Sequence, residues 1–357
     1  MSSIKADVLI DFHPQLHPCT IETFNHCNAA ASDMHSQSFF LCGQYELDET
    51  SESGASRGGS IHICKVDSTN CSLSITTTDC RSGVLDMKIA GDLVACAQSD
   101  HTLCLYKIQA DDTENSCANN SDHSLEHSNE HTSFHLEEVA TASKDDEGLF
   151  LSVDWDLGYS FKEIEDPNCK SKESKEHSGA FVRRKGINEN NQINAKIAVS
   201  TQEGSLLIYE LSNERELSEV HTINEAHTMC NQPMPAWIVC FNPHKTSTII
   251  SGGDDCLMKL WDLRQGYTPT HVNKAHNAGV TSAQWHPKNE NDNIFATGSY
   301  DEYVRVWDNR ALRVPLQEIH AGTIHRLFFS WIFLTSLFYL PFLFRRLLTS
   351  FLFQYQS

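Results

Sequence analysis

The sequence is short of positive charge. Twenty-seven lysines and arginines stand against 47 aspartates and glutamates in 357 residues, a formal net charge of -20. A surface of that sign repels phosphate backbones and anionic lipid, so nucleic acid is not an expected partner and a membrane is a poor one. A basic protein surface suits it better. Metal-type cysteine spacing is missing as well: the thirteen cysteines, among them Cys19, Cys64, Cys169 and Cys256, include no Cys-x-x-Cys. No zinc cluster is therefore expected, and no metal ligands are assigned. The opening MSSIKADVLI has neither the basic flank nor the long apolar core of an export signal. Odd, unpatterned cysteines without such a signal read as reduced thiols in cytosol or nucleus, and of these the cytoplasm is the expected location.

Two further absences bear on chemistry. No Gly-rich loop stands between a strand and a helix, and no βαβ alternation exists to carry one, so no nucleotide-type cofactor is expected. No Gly-x-Ser-x-Gly elbow of the hydrolase kind is read either. Four histidines at a spacing of four, His123, His127, His131 and His135, would line one face of a helix. Their Ser and Asn neighbours are weak helix formers, and the stretch reads as an unstructured insertion rather than a metal site.

What is present is a repeat. SGGDDCLMKLWDLRQG (251–266) and ATGSYDEYVRVWDNRA (296–311) align on Trp261 and Trp307, 46 residues apart. In each unit a Trp-bearing strand precedes a second strand, an acidic turn (Asp254-Asp255 or Asp301-Glu302) and a third strand ending in Trp-Asp. A histidine precedes each unit, His227 and His276, 34 and 31 residues ahead of the tryptophan. The pattern resembles the WD40 repeat, which implies an all-β propeller with four strands per blade. Weaker copies lie upstream, giving five expected blades at 20–66, 83–108, 149–211, 236–263 and 280–309, with polar insertions at 109–147 and 162–194. The repeat implies a buried network in each strong unit: His227 with Asp255 and Trp261, and His276 with Asp301, Ser299 and Trp307. Read as a catalytic triad, His276, Asp301 and Ser299 would do hydrolase chemistry. Recurrence in successive blades favours a structural role, because catalytic sets seldom repeat.

The details between the motifs narrow the resemblance. GVLDMK (83–88), LSVDW (151–155), AHTMCNQPMPAWIVCFNP (226–243) and the two Trp-Asp units resemble, in this order, the WD-repeat family of diphthine methyl ester esterases, often labelled diphthine methyltransferases. That resemblance covers most of 20–326 and implies demethylation by ester hydrolysis on the modified histidine of elongation factor 2, with elongation factor 2 as partner. Seven blades are expected in that family. Ester cleavage needs a base and oxyanion donors. The bases available in the blades include Asp86, Asp154, His227, His276 and His286. Asp86 and Asp154 are the expected catalytic residues, because ionisable side chains in apolar first strands need a reason.

An alternative of another class is a non-catalytic scaffold or substrate receptor of a cullin-type ubiquitin ligase. Arg264 and Arg310, each in a Trp-Asp-x-Arg sequence, would bind the ligase adaptor; the plainer reading pairs each arginine with a neighbouring acid.

The propeller is expected to run over residues 1–326. Residues 327–357 are a hydrophobic tail in which Leu327 to Phe344 carry no charge and Arg345-Arg346 follow. That length is near the lower limit of a membrane span. Nothing in it alternates as a blade does, so the tail is expected to be an aberrant continuation of a truncated propeller rather than an anchor.

Overall fold

The computed structural model describes residues 17–24, 37–48, 56–67, 72–111, 133–144, 148–156, 195–245, 247–286 and 291–321. They form five antiparallel sheets of four strands, each in simple sequence order. The first holds β1 (His17–Phe24), β2 (Gln37–Asp48), β3 (Ser56–Asp67) and β4 (Ser72–Cys80). The second holds β5 (Val84–Ala90), β6 (Leu93–Gln98), β7 (Thr102–Ala110) and β8 (Phe134–Ser143). The third is β9 (Phe150–Asp156), β10 (Ala195–Thr201), β11 (Leu206–Leu211) and β12 (Leu217–Ile223). A small hairpin follows, β13 (Thr228–Met229) with β14 (Gln232–Pro233). The fourth sheet is β15 (Ala236–Phe241), β16 (Thr248–Gly253), β17 (Met258–Asp262) and β18 (His271–Asn273), and the fifth is β19 (Val280–Trp285), β20 (Ile294–Ser299), β21 (Tyr303–Asp308) and β22 (Gln317–His320).

The first strands of successive sheets touch in series: β1 with β5, β5 with β9, β9 with β15, and β15 with β19. Each sheet is thus a blade whose innermost strand lies beside the next one, the arrangement of a WD40 β-propeller. The apolar core is correspondingly divided. One cluster joins the first two blades through Leu41, Ile61, Val84 and Met87. A second joins blades two and three through Leu103, Leu105, Phe150 and Trp155. A third packs Ile208 and Ile223 against Phe241 and Trp261, and a fourth packs Ile250 and Leu260 against Trp285, Phe295 and Trp307. Blades covered on both faces explain why β17 is buried along its whole length rather than on alternate residues.

Close approach between blades dictates glycine at two matching places. A Cβ on Gly252 would stand 2.6 Å from Val280 Cγ1 and 2.8 Å from the Val280 carbonyl; one on Gly43 would stand 2.8 Å from Val84 Cγ1.

The expected blades differ from the observed ones at their outer edges. The resemblance implies four strands per blade, but the expected spans stop short of the outermost strand in each, β4, β8, β12, β18 and β22. The strand β8 lies inside 109–147, expected as an unstructured insertion, and pairs with β7 from Ala110↔Phe134 to Thr102↔Ser143. Alternating burial of Phe134 and Leu136 under blade two gives it the apolar anchor that the surrounding polar composition hides. His135 sits on this strand, 2.5 Å from Asp111 Oδ1, so it faces a carboxylate and not a row of histidines; His123, His127 and His131 lie outside the described residues. Insertion 162–194 and the tail 327–357 also lie outside them. No helix among the described residues is long and apolar enough to cross a membrane.

Candidate functional site

The histidines that precede blades four and five are wholly buried, and each is built into a four-residue network. His227 Nδ1 lies 2.8 Å from Asp255 Oδ1 and its Nε2 lies 2.7 Å from Ser251 Oγ, which also accepts the Trp261 indole N–H at 2.8 Å. In the next blade, His276 Nδ1 lies 3.2 Å from Asp301 Oδ2, and its Nε2 lies 2.8 Å from Thr297 Oγ1, which accepts the Trp307 indole N–H at 2.8 Å. The hydroxyl in blade five is therefore Thr297, not Ser299. Ser299 Oγ instead donates to the Ala278 carbonyl at 3.0 Å and accepts the Asp301 N–H at 3.1 Å, closing the acidic turn. The triad of His276, Asp301 and Ser299 does not assemble.

Each network includes a cation that sequence reading missed, although both stand four residues after the acidic turn. Arg305 Nη1 is 2.6 Å from Asp301 Oδ2 and 2.6 Å from His276 Nδ1. Lys259 Nζ donates to the Ala226 carbonyl at 2.6 Å and stands 3.3 Å from Asp255 Oδ2. Burial, then the charge of Arg305, pushes the His276 imidazole down to about 4. Burial also lowers His227 against the pull of Asp255. Burial alone would raise the Asp255 carboxyl, but the hydrogen bond and charge of His227, the charge of Lys259 and the Leu257 N–H together outweigh it and hold the group below its usual range. Neutral imidazoles bonded at both nitrogens are joinery: they fix the turn, the preceding loop and the third strand in one register.

Asp86 and Asp154 occupy a different place. Both lie on innermost strands, and both reach across to the next blade. Asp86 Oδ2 accepts the Val153 N–H at 3.1 Å, while its Oδ1 accepts the Met87 N–H at 3.0 Å and the Thr20 hydroxyl at 3.3 Å. Asp154 Oδ2 accepts the Phe241 N–H at 2.7 Å, and Asp156 Oδ2 accepts the Ser247 N–H at 3.1 Å. These carboxylates satisfy backbone donors of the following blade that its own sheet does not, which seals the inner edges.

Lys88 feels the charge of both Asp86 and Asp154, and its ammonium is bound by Glu22 of the first blade. Burial alone would lower its proton affinity; Glu22, Asp86 and Asp154 outweigh that and hold the ammonium above its ordinary range. Trp155 anchors the Lys88 backbone by donating its indole N–H to the Lys88 carbonyl at 2.9 Å. Cys240 faces the same cluster, and burial followed by the Asp154 charge pushes its thiol well up, so it is no thiolate nucleophile at neutral pH. The innermost strands thus hold a fixed cation among carboxylates from three blades.

His286 is buried at the end of β19, where its carbonyl accepts from His244 Nε2 at 2.7 Å. Gly54-Ala55-Ser56-Arg57-Gly58 has the Gly-x-Ser-x-Gly spacing that sequence reading passed over. Ser56 opens β3 in a hairpin with β2, opposite Asp48, and not a strand-to-helix turn, so it forms no nucleophile elbow. Arg264 and Arg310 each chelate the aspartate of their own Trp-Asp: Arg264 reaches Asp262 at 2.9 and 2.6 Å, and Arg310 reaches Asp308 at 2.9 and 2.6 Å. Their side chains remain 73% and 71% exposed. Among the described residues no group of three or more His, Cys, Asp or Glu side chains is arranged to hold a metal ion.

Four-stranded blades linked through their inner strands, two of them carrying a His–Asp–hydroxyl–Trp network, define a WD40-repeat β-propeller protein; the model of the WD domain, G-beta repeat, matches 221–262 and 267–308. Within that class the chain is similar to relatives named diphthine methyltransferase. It is 29% identical over 299 residues to the diphthine methyltransferase of Mus musculus, an overlap of 79% of this chain and 52% of that protein. Over 136 residues it is 35% identical to the diphthine methyltransferase homolog of Dictyostelium discoideum (35% of each chain), and over 201 residues 28% identical to the Homo sapiens protein (56% of this chain, 37% of that one). The chain thus spans about half the length of the mouse relative and little more than a third of the other two.

Proposed function

We propose that this chain acts in diphthamide biosynthesis as a carboxylic ester hydrolase, removing the methyl group of a methyl-esterified side chain on the modified histidine of elongation factor 2 in the cytoplasm. The names of its relatives support the pathway. The observation that carries the chemistry is the Lys88 ammonium, fixed by Glu22 beside Asp86 and Asp154. A permanent cation in a partly enclosed site stabilises the oxyanion that forms when water adds to an ester carbonyl. Asp154 takes one proton of the attacking water and returns it to the departing methoxide, so ester and water become carboxylic acid and methanol, and the acid then loses its proton to solvent as the carboxylate. Hydrolysis consumes no methyl donor. The experiment is to incubate the full chain with methyl-esterified elongation factor 2 and to measure methanol with and without S-adenosylmethionine. Methanol release independent of the donor, abolished in Lys88→Met, supports the reading; donor-dependent methylation or no turnover overturns it.

A second reading rests on Arg264 and Arg310. Two chelated yet exposed guanidiniums at corresponding places of adjacent blades suit docking on an acidic adaptor of a cullin-type ligase. Adaptor binding lost in the double Ala variant, with no methanol formed by the parent, would favour a substrate receptor.

A further inference from the structure

The end of the propeller opposite the Trp-Asp termini carries an aromatic pair, a protruding hairpin and a charge imbalance, none of which ester hydrolysis uses. In an antiparallel four-strand blade, the turn from second to third strand and the loop into the next blade emerge at the same end. Contacts between blades bring these segments together here. Gly204 of the third-blade turn lies against the backbone of His227 and Met234: a Cβ on it would stand 2.4 Å from both carbonyls. The hairpin of β13 and β14 turns through Cys230 and Asn231, both at positive φ (51° and 60°), as a two-residue hairpin turn requires. It returns through Met234, whose N–H donates to the His227 carbonyl at 3.1 Å, and Pro235, whose carbonyl accepts the Asp254 N–H at 2.9 Å.

That path delivers Trp237 to the rim. Its indole N–H donates to Asp254 Oδ1 at 3.3 Å, and its ring meets Tyr300 edge to face, centroids 6.3 Å apart and planes at 86°. Tyr300 is 37% exposed and Met229 on the hairpin 42%. Around them the same turns and loops carry Asp100, Glu203, Glu225, Asp254 and Glu302, with Lys274 as the one exposed lysine or arginine in residues 99–102, 202–205, 224–235, 254–257, 273–279 and 300–302. Among the described residues, the side chains of Glu203 and Glu302 pair with histidines, His101 at 3.1 Å and His320 at 3.0 Å. Arg81 and Lys144, in the loops that lead into blades two and three at this end, are paired with Glu138 and Glu219, and Lys259 and Arg305 are buried against Asp255 and Asp301.

We propose that this rim docks a basic segment of a protein partner, with a lysine or arginine side chain seated against Trp237 and Tyr300 and its charge shared with Asp254. Aromatic faces attract such cations, and a surplus of carboxylates draws in the flanking basic residues. The surface stands independently of the ester reading, because none of its residues lies in the Lys88 cluster.

The test uses the full chain and an acetylated, amidated peptide of alternating arginine and serine, with a glutamate-for-arginine peptide as control. Binding is measured by calorimetry, and the Trp237 indole resonance is followed by NMR. The arginine peptide is expected to bind and shift that resonance, and the glutamate peptide to do neither. Tyr300→Ala and Asp254→Asn, which keeps an acceptor for the indole, should each weaken binding about threefold to tenfold while retaining the parent melting transition. Asp92→Asn, in the turn between β5 and β6 at the other end, should leave binding unchanged. Absence of binding by the parent, parent-like binding by both rim variants, or equal weakening by Asp92→Asn overturns the proposal.

Discussion

Arg305 donates to Nδ1 of His276 at 2.6 Å, which makes that nitrogen an acceptor and places the imidazole proton on Nε2, facing Thr297. One blade earlier the assignment is reversed. His227 Nδ1 meets the Asp255 carboxylate and so carries the proton, and Nε2 accepts from Ser251. The corresponding histidines of adjacent blades are thus held as opposite tautomers, with the arginine of blade five touching its imidazole and the lysine of blade four touching the carboxylate instead.

Both arrangements need a neutral ring, and this makes stability depend on pH. His276 titrates near 6.5 when exposed and near 4 in the fold. Its contribution is therefore complete above about pH 6.5 and is lost as pH falls towards 4. Denaturant unfolding at pH 7 and pH 4.5 should show a loss on the order of 2–3 kcal/mol from this residue. His276→Gln should be less stable at pH 7 but have a shallower acid limb. An acid limb unchanged by the substitution would refute this account.

Thr297→Val should cost more than Ser299→Ala. The first leaves the His276 Nε2–H and the Trp307 indole N–H without an acceptor inside the blade, a loss of about 1–3 kcal/mol. The second removes two bonds at the part-buried acidic turn and leaves no indole or imidazole unpaired, a loss of about 1 kcal/mol. Urea midpoints of the two variants compare them directly, and the reverse order would restore Ser299 to the network.

Asp154 carries two roles that different substitutions separate. Asp154→Asn keeps an oxygen for the Phe241 N–H, so its stability should stay close to the parent, while turnover falls about a hundredfold or more if the carboxylate is the base. Asp154→Ala should lose turnover and also about 1–3 kcal/mol of stability, because a buried N–H is left unpaired. Asp86→Ala should lose comparable stability through the Val153 N–H. Thermal melts beside methanol assays distinguish the roles.

Gly252→Ala should destabilise by about 1–3 kcal/mol, since its new methyl meets both the side chain and the carbonyl of Val280. Differential scanning calorimetry would show it; a neutral substitution would mean the fourth and fifth blades separate easily at this point.

The Trp-Asp strands could be read from sequence because each combines a tight acidic turn, a β-rich run and a tryptophan at a fixed offset. The outer strands could not, since β12 and β22 are short, polar and largely half-buried or exposed, and resemble loops in composition. Thr297 was within reach: it stands ten residues before Trp307, as Ser251 does before Trp261. Charge in the first strands marked Asp86 and Asp154, but their partners are backbone groups of another blade, which side-chain identity does not encode. Lys88 escaped notice because a lone lysine usually marks a solvated face.

The division of the apolar core into separate layers has a consequence for how this molecule fails. Among the described residues each layer belongs to two neighbouring blades, so cohesion is pairwise and the series of blades resembles a row of linked coins more than a single droplet. Damage at the Gly252–Val280 boundary should open the last pair and spare the first, and amide exchange should quicken there while β6 and β10 stay protected. A lesion far from Lys88 can therefore leave its surroundings intact, and one beside it at Asp86 or Asp154 loosens the boundary on which that cluster is built.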